Sequence, residues 1–173
     1  MKSTKRAVVL IGHGGVPKDL PRGWVTELKR MESERRAKGG EPSQMEIEAD
    51  QKIRNWPRTP ENDPYRMGLE SLAVQLESLL EDERLVVAYN EFCSPSIEMA
   101  VTDLANEGFS QIALVTTMVT PGGSHADGEI PEEVAKLQKR FPDAQIRYAW
   151  PFDLSKVAEL IKYQVSQIEF FSE

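Results

Sequence analysis

Histidine occurs only twice in these 173 residues and cysteine once, so chemistry that depends on those side chains has few places to sit. The single cysteine, Cys93, excludes an internal disulfide framework and suits a reducing cytoplasm, where the protein is expected to reside. No apolar run approaches the roughly 20 residues that a membrane-spanning helix requires. The opening MKSTKR has a basic end but is followed by neither a sustained apolar segment nor a small-residue cleavage site, so no signal peptide is expected. Net charge is −7, with lysine and arginine scattered among acids. That argues against nucleic acid as a main partner, because phosphate neutralisation wants a clustered basic face. The run KRMESERRAKGG is interrupted by glutamates at helical spacing and reads as a solvated helix face. The glycine spacings of dinucleotide sites and P-loops are missing, and so is the GxSxG elbow.

What remains is a globular composition, 40% hydrophobic against 28% charged, in a chain long enough for one domain with a real core. The expected organisation is a single α/β domain over residues 1–173 with an insertion at about 16–64. Short apolar runs at residues 6–11, 84–89, 111–118 and 145–149 read as buried strands. Between them lie helical patterns at residues 65–80, 95–107 and 131–141, with a last one at 154–170. The first carries a stripe of Leu69, Leu72, Ala73, Leu76, Leu79 and Leu80. The second reads with Ser94 as N-cap, Pro95 in the first position and Gly108 as the stop. Residues 16–64 are polar and proline-punctuated, with helices expected at 23–38 and 43–55. A connection this long suggests an insertion over the carboxyl edge of the sheet. Alternation predicts a four-stranded parallel sheet in the order 2-1-3-4 with helices on both faces.

Both histidines stand just past a strand, His13 in AVVLIGHGG and His125 in QIALVTTMVTPGGSH. In the predicted order strands one and three are neighbours at the topological switch point, so the two imidazoles should emerge side by side. Gly12, Gly14 and Gly15 beside His13, and Gly122 and Gly123 before His125, imply sharp turns and close approach. A pair of imidazoles suits holding a metal or moving protons. Glu91 after strand two and Glu129 four residues past His125 are both candidate supporting carboxylates, and spacing alone does not choose between them. Cys93 reads as a small buried residue, since metal clusters usually bring cysteines in pairs. A phosphohistidine role for His13 is weak, because the residue before it is glycine and not a phosphate-holding arginine.

Three segments, LIGHGG, YNEFCSPSIEMAVTDLANEGFSQIALV and TPGGSHADGEIPEEV, occur in an order that resembles the small sirohydrochlorin chelatases. These are class II chelatases related to the cobalt-, iron- and nickel-inserting enzymes of tetrapyrrole pathways. The resemblance covers strand one and then about residues 65–165, and implies a flavodoxin/chelatase-like fold. It implies insertion of a divalent ion, Co²⁺, Fe²⁺ or Ni²⁺, into sirohydrochlorin or a related tetrapyrrole, with no organic cofactor. The alternative is a non-catalytic metal or tetrapyrrole carrier using the same pocket. The family's two histidines fall on His13 and His125, as metal ligands that assist loss of pyrrole protons, and its glutamate on Glu91. For the macrocycle the resemblance suggests a cleft between sheet edge and insertion, with rim carboxylates at Gly12, Gly14, Ser94, Gly122, Gly123 and Ser124. Trp24, Trp56 and Trp150 are candidates to stack on it, although packing is the commoner fate. The chain departs from the pattern in an extra Ser124 after Gly123, in Glu129 where aspartate is more frequent, in TTMVT at the end of strand three, and in residues 16–64. Short relatives pair as homodimers, so a homodimer is expected, without a membrane or nucleic-acid partner.

Overall fold

A computed structural model of the chain describes residues 4–168. Four strands, β1 (Arg6–Gly12), β2 (Arg84–Tyr89), β3 (Gln111–Thr116) and β4 (Gln145–Tyr148), form one all-parallel sheet in the order β2-β1-β3-β4. This is the predicted order. β1 lies in the middle because its run Ala7, Val9, Leu10 and Ile11 is buried on both faces, as a central parallel strand requires.

Helices α4 (Ile97–Asn106) and α5 (Ile130–Arg140) cover one face, where Ile97, Val101, Leu104, Ile130 and Leu137 pack against Val9, Ile11, Ile112, Leu114 and Ile146. Helix α3 (Pro64–Glu77) covers β1 and β2 on the other face through Leu69 and Ala73, which meet Leu10, Tyr89 and Cys93. Asp63 caps α3 by accepting from the Arg66 amide, with Pro64 in the first turn. The predicted stripe is narrower than its leucines suggest: Leu72 and Leu79 are exposed, and Leu79 and Leu80 lie beyond the helix.

The last helix, α6 (Leu154–Ser166), departs from the pattern. A helix after β4 would be expected on the half of the α3 face that no other described helix covers, because a parallel sheet is buried on both faces. Instead α6 buries none of its side chains. Ala113 on β3, a strand paired on both edges, and its register partner Arg147 on β4 are exposed on that face. The expected helical residues 169–170 fall outside the described residues.

Element ends shift where side chains capture the backbone. β3 stops at Thr116, two residues short of expectation, because the Thr116 hydroxyl accepts the Met118 amide. Helix α4 is capped by Ser96, not Ser94: Ser96 Oγ accepts from Met99 N–H, while the Pro95 carbonyl accepts from Tyr89 N–H and so extends the sheet. Ser94 Oγ instead donates to Asn55 Oδ1. The segment before α5 is a single π-turn, His125–Glu129, closed by Ile130 N–H on the His125 carbonyl. An i→i+5 turn takes one residue more than an α-turn.

The insertion contributes α1 (Arg22–Lys38) and α2 (Gln44–Arg54), packed together around Leu20, Leu28, Ile53 and Phe92. Two arginines bind it to the sheet end. Arg54 donates to the carbonyls of Cys93 (2.8 Å) and Asn90 (2.9 Å). Arg58 donates to the Gly15 carbonyl and Asp63 Oδ2, both at 2.7 Å, and to the Phe92 carbonyl. Phe92 takes a left-handed φ of 56°, unusual for an aromatic residue, and its carbonyl is held by Arg58.

Candidate metal centre

The carboxyl ends of β1 and β2 are laced together before any functional side chain is placed. Asn90 N–H donates to the Gly12 carbonyl at 2.9 Å and Glu91 N–H to the His13 carbonyl at 2.8 Å. This forces Gly14 against the β2 loop at φ 97°, where a Cβ would stand 1.8 Å from the Glu91 carbonyl oxygen. No other residue type fits there. The His13 amide donates to the Tyr65 hydroxyl at 2.7 Å.

The two histidine rings meet edge to face, with centroids 4.9 Å apart. One ring nitrogen from each and one Glu91 oxygen all lie within 4.8 Å of one another. These three are the one group of potential metal-ligating side chains among the described residues. His13 Nδ1 lies 2.9 Å from the Gly14 carbonyl and His125 Nδ1 lies 2.7 Å from Glu129 Oε2. A carbonyl and a carboxylate oxygen accept, so these contacts assign the hydrogen to each Nδ1, and in the neutral ring that tautomer leaves Nε2 with its lone pair. This is the arrangement a metal-binding imidazole takes, with an outer oxygen fixing the tautomer.

The two candidate carboxylates have separate places. Glu91 faces His13, with Oε2 3.9 Å from Nε2, and Glu129 orients His125. Asn90 Nδ2 donates to the same Glu129 oxygen at 3.2 Å, and its 2.9 Å approach to His125 Nδ1 is a contact between two donors that this oxygen gathers. Partial burial works against the Glu129 charge, but hydrogen bonds from His125, Asn90 and Arg36 outweigh it and hold the carboxyl below its usual range.

Lys29, Arg36 and Asn90 escaped the sequence reading. Lys29 Nζ donates to Glu91 Oε1 at 2.5 Å and to Glu32 Oε2 at 2.9 Å, and lies 4.9 Å from the centre of the Phe92 ring. Arg36 Nη2 donates to Glu129 Oε1 at 2.8 Å. The basic run is therefore solvated only in part: Arg30 pairs with Glu27 and Glu34 on the exposed side, while Lys29 and Arg36, seven residues apart and so on one face of α1, reach the site. That spacing was the available signal. Burial works against the Lys29 charge, yet its bonds to Glu91 and Glu32 prevail and raise its pKa.

The remaining candidates lie apart from this centre or beside it. Gly122, Gly123 and Ser124 form an exposed loop ahead of His125, with the Gly122 amide bonded to Asp127 Oδ2. Cys93 is fully buried, and burial pushes its thiol pKa up. Trp24 and Trp56 pack edge to face within the insertion, and Trp150 stacks on Tyr148 while donating to Asp127. A cleft of about 540 Å³ does open between the insertion and α4, reaching Asn90 and Glu129. Its walls include neither histidine, and two of their acids, Glu46 and Asp50, are paired with Arg35 and Arg54, which also line it. The histidine face, with the His13 side chain 42% exposed, is the open approach.

The sirohydrochlorin ferrochelatase of Priestia megaterium is 27% identical over 82 residues, 47% of this chain and 30% of that protein. Among solved structures, the sirohydrochlorin chelatase SirB from Bacillus subtilis subspecies spizizenii in complex with cobalt superposes with a TM-score of 0.56 at 17% identity, over 95% of this chain and 51% of that one. SirB from Bacillus subtilis with Fe³⁺ gives 0.57 at 17%, over 96% and 48%. The CbiX protein of cobalamin biosynthesis from Marinobacter aquaeolei VT8 gives 0.54 at 15%, over 94% and 99%. At these identities the structural likeness is one of fold, and the chain spans about half of each SirB protein and under a third of the ferrochelatase. The CbiX family model matches residues 61–168, well over half of the sequence, and the chain belongs to the CbiX family.

Proposed function

We propose that this protein inserts a divalent metal ion, cobalt or iron and also nickel, into sirohydrochlorin or a closely related tetrapyrrole. The observation that carries the reading is the convergence of His13, His125 and Glu91 within 4.8 Å. Neutral imidazoles with free Nε2 lone pairs suit Co²⁺, Fe²⁺ and Ni²⁺ and release them, where a thiolate cage would retain them. Two pyrrole protons must leave as the ion enters. Glu91 beside His13 is placed to accept one, and the imidazoles serve as the other base. Glu129 keeps His125 in the productive tautomer. The exposed Gly122–Ser124 loop borders the approach, Gly12 and Gly14 are buried and shape the turn that presents His13, and Ser94 lies on the loop that carries Glu91. The relatives support the substrate class: one is a sirohydrochlorin ferrochelatase, and another is a sirohydrochlorin chelatase holding cobalt.

The test is absorption. Sirohydrochlorin mixed with Co²⁺ or Fe²⁺ should change its spectrum faster with the protein than without it. His13→Ala and His125→Ala should each cut the acceleration by about 100-fold or more. Tetrapyrrole binding without acceleration would favour a carrier in place of an enzyme. Repeating the assay over a grid of metals and macrocycles identifies the preferred pair.

The same reading treats the chain as one domain acting in the cytoplasm, with residues 16–64 forming part of the site wall. It also pairs two copies as a homodimer. Two surfaces support the pairing: α6 exposes Leu154, Leu160, Ile161 and Tyr163 at 57–65%, and the sheet leaves Ala113 and Arg147 uncovered where a helix belongs. Exchange of α6 between copies would cover both at once.

A further inference from the structure

Each carboxylate of the centre already has one oxygen committed to a cation from the insertion. Lys29 holds Glu91 Oε1 at 2.5 Å and Arg36 holds Glu129 Oε1 at 2.8 Å. Both cations come from α1, outside the segment matched to the family. They are not sealed in: the Lys29 side chain is 39% exposed and that of Arg36 is 58% exposed. An ammonium at that distance from Glu91 repels a divalent ion seeking the same carboxylate, and Glu32 offsets only part of its charge.

We propose that Lys29 and Arg36 are handover residues, which release Glu91 and Glu129 when the carboxylates on the rim of the tetrapyrrole take them. The proposal rests on the chelatase reading above and adds an order to it. Without macrocycle, Lys29 keeps Glu91 from the metal and the free protein binds the ion weakly. A docking tetrapyrrole brings several carboxylates to the mouth of the site, and these compete for the two exposed cations. Transfer of Lys29 and Arg36 to the macrocycle leaves Glu91 free to meet the ion and receive a pyrrole proton, and leaves Glu129 bonded to His125 and Asn90. Metal capture is thereby tied to the presence of its acceptor, by a coupling that works in both directions. Both are positioning residues and neither touches the reacting atoms.

Two binding measurements on the metal-free protein separate this from a structural role. Calorimetric titration with Co²⁺ alone should show Lys29→Met binding the ion about tenfold more tightly than the wild type, because the competing charge is gone. Fluorescence titration with metal-free sirohydrochlorin in the presence of chelator should show Lys29→Met and Arg36→Met binding the macrocycle about tenfold more weakly. Lys29→Arg, which keeps the charge, should restore macrocycle affinity to near the wild-type value. Opposite signs for the two ligands are the signature. Loss of both affinities, no change in either, or tighter metal with unchanged macrocycle binding overturns the handover while leaving the chelatase reading intact. A wild-type protein that binds no sirohydrochlorin overturns both.

Discussion

At the residue scale, the centre depends on side chains whose options have been removed. Gly14 is the clearest case, because a methyl group there meets the Glu91 carbonyl oxygen in a left-handed backbone. Gly14→Ala should cost at least about 2 kcal/mol, lowering the melting temperature by about 4–8 °C for a chain of this size, measurable by calorimetry. Cys93 makes a second expectation. Its thiol is buried and burial raises its pKa, so it stays protonated past the ordinary thiol range and is inert as a nucleophile. Iodoacetamide at pH 8 should leave the folded protein unmodified and label it once in denaturant. The meeting of His13 and His125 was legible in the sequence because scarce residues at strand ends have one plausible meeting place in a parallel sheet, whereas the choice of Glu91 over Glu129 was left open by spacing and came only from the family resemblance. The tie between Glu129 and His125 was half legible, since four residues is within reach on any helical turn. Lys29, Arg36 and Asn90 were not, because a charge on a helix face says nothing about what that face meets until the helix is docked.

At the element scale, strand order and the placement of α3, α4 and α5 followed from alternation and handedness, and these do not depend on element ends. The ends moved by one to three residues, as where a hydroxyl or a carbonyl had competing partners. Ser94 and Ser96 illustrate this: either can cap a helix, and the choice was made by Tyr89 N–H claiming the Pro95 carbonyl, a contact invisible to spacing. The docking of the insertion was likewise hidden, because it relies on Arg54 and Arg58 reaching backbone carbonyls. Arg58 and Asp63 are 4% and 2% exposed and form a buried ion pair. Arg58→Met leaves Asp63 charged and without its guanidinium, and should destabilise the fold by about 3–5 kcal/mol. A urea denaturation series reads this directly as a lower midpoint. The same change frees the Gly15 and Phe92 carbonyls, so activity should fall further than the loss of folded protein explains.

At the scale of the whole molecule, α6 is the anomaly. Among the described residues, a helix with no fully buried side chain stands beside a sheet face whose β3 and β4 half carries no helix. Alternation could predict a helix after β4 but not whose sheet it would lie on, since a chain and its twin offer identical surfaces. Light scattering should give twice the 19.5 kDa of one chain, and Leu160→Glu combined with Ile161→Glu should return it to one. If α6 lodges on a second copy, as proposed, the fold borrows part of its stability from concentration. Successive tenfold dilutions should then lower the melting temperature step by step, whereas the doubly charged variant should melt at one temperature throughout.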